Sequence, residues 1–146
     1  MSYPVILTIH LLCAIVFIGV VFFEVVLIEG VRKKLSHSIM EQFEPTLMER
    51  ARKIMPWVVV TLFVSGIGLA SFHWQSLKNP LASSFATLLI LKILLAFSVL
   101  GHFIAAIRAA KKGCMSSARS RRTHFSVGIH MFFIVILAKG MFYISW

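Results

Sequence analysis

The chain has 146 residues, of which 59% are hydrophobic and 14% are charged, and its mean hydropathy is +0.91. Soluble domains are usually about 45–50% apolar and about 25% charged, so this composition excludes an ordinary soluble protein. A net charge of +10 would suggest a polyanionic partner for a soluble chain, but here the basic residues lie between apolar runs.

The apolar residues fall into four runs, each long enough for a membrane-spanning helix of about 20 residues. We predict helices over about residues 4–28, 55–77, 81–107 and 125–146. Pro4 and Pro56 suit first helical turns, and Asn79-Pro80 predicts a turn between the second and third helices. For residues 41–53 we predict a short amphipathic surface helix that is interrupted by Pro45. The predicted fold is all-α: a single integral membrane domain, an up-and-down four-helix bundle.

The basic residues predict the orientation of this bundle. Twelve of the 15 lie in the first and third loops: Arg32, Lys33, Lys34, Arg50, Arg52, Lys53, Arg108, Lys111, Lys112, Arg119, Arg121 and Arg122. By the positive-inside rule these loops face the cytoplasm, which places both termini and the Lys78 loop on the outer, periplasmic side of a bacterial inner membrane. Cys13 and Cys114 are too far apart in this topology to pair. The expected partner is the lipid bilayer, with no nucleic acid.

Ionisable side chains inside membrane spans are costly and mark candidate functional sites. In this chain they are His10, Glu24, His73, Lys92, His102, His130 and Lys139. At about 1.5 Å of rise per residue, His102 and His130 share a depth near the inner side. His10, His73 and Lys92 lie toward the outer side.

Two histidines at one depth on antiparallel helices can occupy both axial positions of a haem iron. The depths predict an inner site formed by His102 and His130 and allow an outer site formed by His10 and His73, hence one haem b or two. Gly101 and Gly128 would let a flat macrocycle approach. The alternatives are interhelical hydrogen bonds for these histidines and an interfacial position for His73. For the small residues 65–71 we favour ordinary helix packing.

The charged groups in the spans have separate interpretations. Lys92 is deep enough to require a counter-charge, a shifted pKa or an anionic ligand such as a porphyrin propionate. Glu24 either pairs with loop cations such as Arg32 or handles protons. Lys139 lies about 180° around its helix from His130, so we predict that it extends to the outer interface. A copper site would draw on the methionines of the spans, but these form no Met-x-x-Met pair: Met55, Met131 and Met141.

Several short motifs together resemble the HemJ-type protoporphyrinogen oxidases and the related CopD-like membrane proteins. They are Ile9-His10-Leu11-Leu12 followed by Gly19, Met48-Glu49-Arg50 ahead of Ile54-Met55-Pro56, and Leu89-Ile90-Leu91-Lys92-Ile93-Leu94-Leu95 followed by Gly101-His102. The resemblance implies a four-helix membrane core, haem b, and oxidation of protoporphyrinogen IX with electrons passing to a quinone or the respiratory chain. It assigns the functionally required histidine and lysine to His10 and Lys92.

The chain differs from this family at Glu24, where an arginine is expected, and at Gly128-Ile129-His130, where an Asn-Glu pair is expected. Three hypotheses follow. The first is a haem b electron-transfer protein with His10, His73, His102 and His130 as candidate iron ligands. The second is a HemJ-like oxidoreductase with Lys92 and Glu24 as candidate catalytic residues. The third is a CopD-like copper-handling protein without enzymatic activity. The oligomeric state, including a homo-oligomer, stays open.

Overall fold

The fold is all-α, as predicted, in a computed structural model that describes residues 2–112 and 117–145. The predicted position of Cys114 and the predicted end of the last helix at Trp146 lie outside these residues. In chain order the elements are α1 (Tyr3–Phe22), a π-helical segment (Phe23–Ile28), α2 (Glu29–Arg32), α3 (His37–Phe72), α4 (Trp74–Lys78), α5 (Ser84–Lys111) and α6 (Ser117–Gly140).

Four helical stretches are long and apolar enough to cross a membrane: Tyr3–Arg32, His37–Phe72, Ser84–Lys111 and Arg119–Gly140. Large apolar side chains cover their outer surfaces, and Ile15, Trp57 and Phe132 are each more than 60% exposed. Apolar surface on this scale is unfavourable in water and suits contact with lipid tails. The chain is therefore a multi-pass membrane protein in contact with a lipid bilayer.

The helices form two compact units, which we describe separately: a first unit, Met1–Phe72, and a second unit, His73–Trp146. In the first unit α1 packs along α3, and the buried apolar side chains include Phe17, Val21, Met55 and Val59. In the second unit α5 packs along α6, and the buried apolar side chains are Ala86, Leu89, Val99, Val127 and Met131. Each unit thus has its own helix–helix interface, which positions the polar side chains described below.

The first span does not stop at its predicted end, residue 28, but continues through the π-helical segment and α2 to Arg32. The Arg32 guanidinium donates to Glu44 Oε1 from Nε at 2.8 Å, and it pairs with Glu29 Oε2 at 2.5 Å. Glu29 lies one turn earlier on the same helical stretch, whereas Glu44 lies on α3. The first span is thus a turn longer than predicted, and Arg32 ties its C-terminal end to α3. Glu24, the predicted alternative partner of Arg32, lies within the π-helical segment.

The second span is the C-terminal part of α3, which starts earlier than predicted and ends at Phe72, before the predicted end at residue 77. α3 begins at His37, 18 residues before the predicted start, and it runs through both Pro45 and Pro56. The predicted interruption at Pro45 is therefore wrong. A proline removes one backbone hydrogen bond and disfavours a helix interior, but tertiary contacts can outweigh that cost. Here Met40 is buried and Glu44 is held by Arg32, so the residues before Pro45 are fixed in helical geometry from outside.

The second unit follows the predicted turn at Asn79-Pro80, where the Ala82 N–H donates to the Asn79 carbonyl at 3.1 Å. Helix α5 then starts at Ser84, because the Ser83 hydroxyl accepts from the Ala86 N–H and caps its first turn. Helix α6 starts at Ser117, eight residues before the predicted start, and ends at Gly140 instead of continuing to the end of the chain. A glycine is a common helix terminator, and hydrogen-bonded turns follow it.

We predict that Arg32→Ala destabilises the protein more than Lys53→Ala does. The side chains of Arg32 and Glu44 are each only 25% exposed, so the loss of their charged hydrogen bonds should lower the free energy of unfolding by about 1–2 kcal/mol. Lys53 pairs with Glu49 at 2.7 Å between side chains that are 66% and 70% exposed, and solvent screens such an exposed pair so strongly that its loss should be much smaller. Unfolding by denaturing detergent, followed by circular dichroism, measures both. Equal losses would contradict the role given to Arg32.

Candidate functional site

The structure brings two of the predicted site residues into contact, His102 and His130. They lie on α5 and α6 of the second unit, with ring centroids 5.4 Å apart and ring planes tilted by 55°. Both side chains are partly buried. The shared depth that the sequence predicts for these histidines corresponds to a direct imidazole–imidazole contact across the helix interface. We call these two residues the histidine pair.

Both members of the histidine pair are fixed by their own helix. His102 Nδ1 lies 2.8 Å from the Ser98 carbonyl oxygen, and His130 Nδ1 lies 2.8 Å from the Ser126 carbonyl oxygen. A carbonyl oxygen only accepts hydrogen bonds, so each Nδ1 must carry the proton. In the neutral ring the other nitrogen, Nε2, then has the lone pair. The backbone thus sets the same tautomer in both imidazoles.

Each Nε2 faces a serine on the opposite helix. The Ser126 hydroxyl donates to His102 Nε2 at 3.2 Å, and the Ser98 hydroxyl donates to His130 Nε2 at 3.0 Å. The two halves of this arrangement are equivalent. The carbonyl of each serine accepts from the histidine four residues later, and its hydroxyl donates to the histidine of the other helix. The result is a closed network of two serines and two histidines between α5 and α6.

Ser98 and Ser126 were not among the predicted site residues, although the sequence carries a signal for them. The segments Ser98-Val99-Leu100-Gly101-His102 and Ser126-Val127-Gly128-Ile129-His130 both have the pattern Ser-Val-x-x-His. Residues four apart share one face of a helix, so the repeated pattern places a serine beside each histidine. Two copies of the motif on neighbouring antiparallel helices are what the network requires.

His10 has the same tautomer as the histidine pair, but its hydrogen-bond partners lie on the neighbouring helix. Its Nδ1 lies 3.0 Å from the Leu62 carbonyl oxygen and 3.2 Å from Ser65 Oγ, both on α3 of the first unit. The Ser65 hydroxyl donates to the Thr61 carbonyl at 2.7 Å, so its oxygen accepts the Nδ1–H of His10. Gly66 completes the recess, because a Cβ at that position would lie 3.2 Å from His10 Cε1. The small residues of α3 therefore serve helix packing, and two of them hold an imidazole.

The other predicted site residues lie apart from the histidine pair or have local partners. His73 precedes α4 in the second unit and packs against Phe85 with ring centroids 5.1 Å apart. Lys139 Nζ lies 5.0 Å from the Tyr143 ring centroid, a cation–π contact near the C-terminal end of α6. Lys92 lies partly buried on α5, ten residues before His102. Glu24 Oε2 is shielded from solvent.

Of the two predicted glycines, Gly101 differs from Gly66. Gly101 is exposed, and a Cβ there would meet no described atom within 4 Å, so Gly101 is not needed for the packing of α5 against α6. Gly128 is partly buried on α6, two residues before His130.

Within residues 2–112 and 117–145, no group of three or more histidine, cysteine or acidic side chains is arranged to hold a metal ion. A bare Zn²⁺ site normally needs three or four protein ligands. A haem iron needs only one or two axial ligands, because the macrocycle supplies four nitrogens. The donor chemistry of the histidine pair and of His10 therefore fits haem iron, or an ion of low coordination number, better than a structural zinc site.

We predict that Gly66→Ala displaces His10, whereas Gly19→Ala does not. Alanine in a helix interior gains about 1 kcal/mol over glycine, and at Gly19 a Cβ meets nothing within 4 Å. At Gly66 the contact at 3.2 Å with His10 Cε1 offsets this gain. Gly19→Ala should raise the unfolding temperature, and Gly66→Ala should not. Histidine ¹⁵N resonances should move at His10 only in Gly66→Ala. Unchanged His10 signals in both variants would contradict the recess.

Comparison with family models, with curated proteins and with solved structures finds no match to this chain. The chemistry of the residues themselves is therefore the basis for a function, and His10, His102 and His130 share one tautomer.

Proposed function

We propose that this chain is a membrane-embedded haem b protein with a redox role, which uses imidazole nitrogens as iron ligands. The observation that carries the proposal is the common tautomer of His10, His102 and His130. Each donates Nδ1–H to a backbone carbonyl, at 2.8–3.0 Å, and so keeps Nε2 as the nitrogen with a lone pair. Metal-binding histidines typically donate their second ring nitrogen in this way, which fixes the ring and raises its basicity.

His102 and His130 of the second unit are the type of donor that haem iron binds, but their present geometry would have to change for binding. His102 and His130 contact each other directly, and a serine hydroxyl occupies each Nε2. An imidazole that binds iron must release its serine, and binding of one haem between both rings requires the two rings to separate. When bound, the haem would supply one-electron chemistry of its iron. The carbonyls of Ser98 and Ser126 keep the imidazoles oriented, and the apolar spans exclude water.

Lys92 is our candidate partner for an anionic group of the ligand. A cation at membrane depth is costly, and a propionate of haem or a carboxylate of a porphyrinogen would offset that cost. Lys92 shares α5 with His102, so one helix carries both a candidate iron ligand and a candidate carboxylate partner. Oxidation of protoporphyrinogen, with Glu24 as a proton-handling group and a quinone as acceptor, is the narrower activity that the family resemblance suggests.

We further propose that the four spans run up and down through a bacterial inner membrane with both chain ends on the periplasmic side. The support is the charge distribution, with basic residues in the first and third loops and only Lys78 in the second. The Arg32–Glu29–Glu44 cluster lies at the same end of the first unit as most of the basic residues of its loop.

Copper handling is the second candidate, and the direct contact in the histidine pair favours it. Two Nε2 donors in one small cluster, with ring centroids 5.4 Å apart, suit a bare ion of low coordination number without any macrocycle. The cluster contains only neutral donors, so a singly charged ion such as Cu(I) costs less to bury than a divalent one.

The expected spectrum tests the main proposal. Purified protein should show a Soret band with a reduced-minus-oxidised difference typical of haem b, and His102→Ala, His130→Ala and His10→Ala should show which imidazoles bind it. Loss of an axial ligand should lower the haem content at least about tenfold. His37→Ala is the matched control, because His37 is 87% exposed and pairs only with Glu41 at the inner end of α3.

Metal analysis of the same samples separates the two candidates. Bound copper without a Soret band, lost in His102→Ala and His130→Ala, would replace the haem proposal by the copper one. Protein that carries neither haem nor copper, and that does not regain a Soret band on addition of haemin, would refute both.

Reporter insertions test the topology. Alkaline phosphatase, which is active only in the periplasm, should be active when inserted at Asn79 and inactive when inserted at Leu35. A green fluorescent protein that folds only in the cytoplasm should give the opposite pattern. Phosphatase activity at Leu35 would reverse the proposed orientation.

A further inference from the structure

We propose that Ser98 and Ser126 are positioning residues of the histidine pair, whose hydroxyls hold the ligand nitrogens until a metal takes their place. The serine hydroxyls bond to Nε2, the nitrogen that a metal would use, at 3.0 Å for His130 and 3.2 Å for His102. A nitrogen lone pair cannot accept a hydrogen bond and bind a metal at the same time. Serine contact and metal binding are therefore alternatives at each imidazole.

The hydrogen bonds from the serine hydroxyls run between α5 and α6. This arrangement orients the imidazoles, which helix packing alone would not do. The backbone carbonyl of Ser98 fixes His102 on its own helix, while its hydroxyl reaches His130 on the other. Ser126 does the reverse. Each ring is therefore held at both nitrogens by two different helices. A ring flip would break two hydrogen bonds, so the network keeps both imidazoles in the metal-binding tautomer and orientation.

A serine that leaves the histidine has another acceptor within its own helix. Serine hydroxyls in helices commonly donate to a carbonyl three or four residues earlier. This chain shows two examples: Ser65 Oγ donates to the Thr61 carbonyl and Ser71 Oγ to the Gly68 carbonyl, both at 2.7 Å. Ser98 and Ser126 can turn to such carbonyls once a metal occupies Nε2. The serines thus orient the imidazoles without blocking them.

The proposal that a metal displaces the serines rests on the proposed function. The hydrogen bonds between each serine and the histidine of the other helix, which we call the crossed network, do not. The first experiment therefore uses the full chain without metal, in lipid nanodiscs, with ¹⁵N-labelled histidine. In Ser98→Ala the Nε2 resonance of His130 should move and that of His102 should stay; Ser126→Ala should give the mirror result. The hydrogen bonds from Nδ1 to the backbone carbonyls should be unaffected in both variants, because the substitution leaves the backbone in place. Ser98→Thr keeps a hydroxyl and should restore the wild-type signal of His130.

Ser71→Ala is the matched control, since its hydroxyl bonds only within its own helix in the first unit. It should leave the Nε2 resonances of the histidine pair unchanged. Movement of the same-helix histidine alone, or no movement in either serine variant, would overturn the crossed network. Equal movement in Ser71→Ala would show a general structural change and would also overturn it.

The second experiment titrates haemin into the metal-free wild type and into the double variant Ser98→Ala/Ser126→Ala. The carbonyls of Ser98 and Ser126 still orient both imidazoles in this variant. Removal of the two competing hydroxyls should therefore tighten haemin binding, by about two- to tenfold for each serine hydrogen bond that binding has to break. Weaker binding by the double variant would overturn the proposal that the serine hydroxyls hold Nε2 until a metal takes their place. Failure of the wild type to bind haemin would refute the proposed function, and the resonance pattern would still decide the crossed network.

Discussion

The hydrogen bond from a histidine Nδ1–H to a backbone carbonyl is the interaction on which the candidate site depends. Inside a bilayer no water is present to satisfy a polar ring, so an imidazole must find its partners within the protein. A carbonyl accepts and never donates, and its presence at Nδ1 decides where the single ring proton lies. All further chemistry at Nε2, whether with a serine or with a metal, follows from that assignment.

The two units reach the same tautomer by different routes. In the second unit the carbonyl comes from the histidine's own helix, four residues earlier, so a short sequence motif is sufficient. In the first unit it comes from the neighbouring helix, and the ring also needs Ser65 and Gly66 to lie close enough to α3. A local motif tolerates changes in helix packing, whereas the His10 arrangement depends on the packing of α1 against α3.

The sequence predicts the features that the bilayer dictates and misses those that depend on contacts between helices. Hydropathy alone locates four spans, because a membrane requires long apolar helices. The start of α3 at His37 could not be predicted, since Pro45 disfavours a helix and the contacts of Met40 and Glu44 that outweigh it are tertiary. Equal depth identifies His102 and His130 as neighbours, and the repeated Ser-Val-x-x-His pattern places a serine beside each histidine, but neither gives the rotation of the helices, so the bonds from the serine hydroxyls to the opposite histidines could not be predicted.

The two lysines inside the spans differ in their surroundings. Lys139 has an aromatic neighbour, Tyr143, near the end of its helix, and long basic side chains at that position reach the interface at little cost. The ion pairs and cation–π contacts of the described residues include no comparable partner for Lys92. The donors of the histidine pair and its serines are neutral, so they bring no counter-charge to Lys92. We propose haem because a metalloporphyrin with propionates would bring both a metal for the imidazoles and a carboxylate for the ammonium group of Lys92.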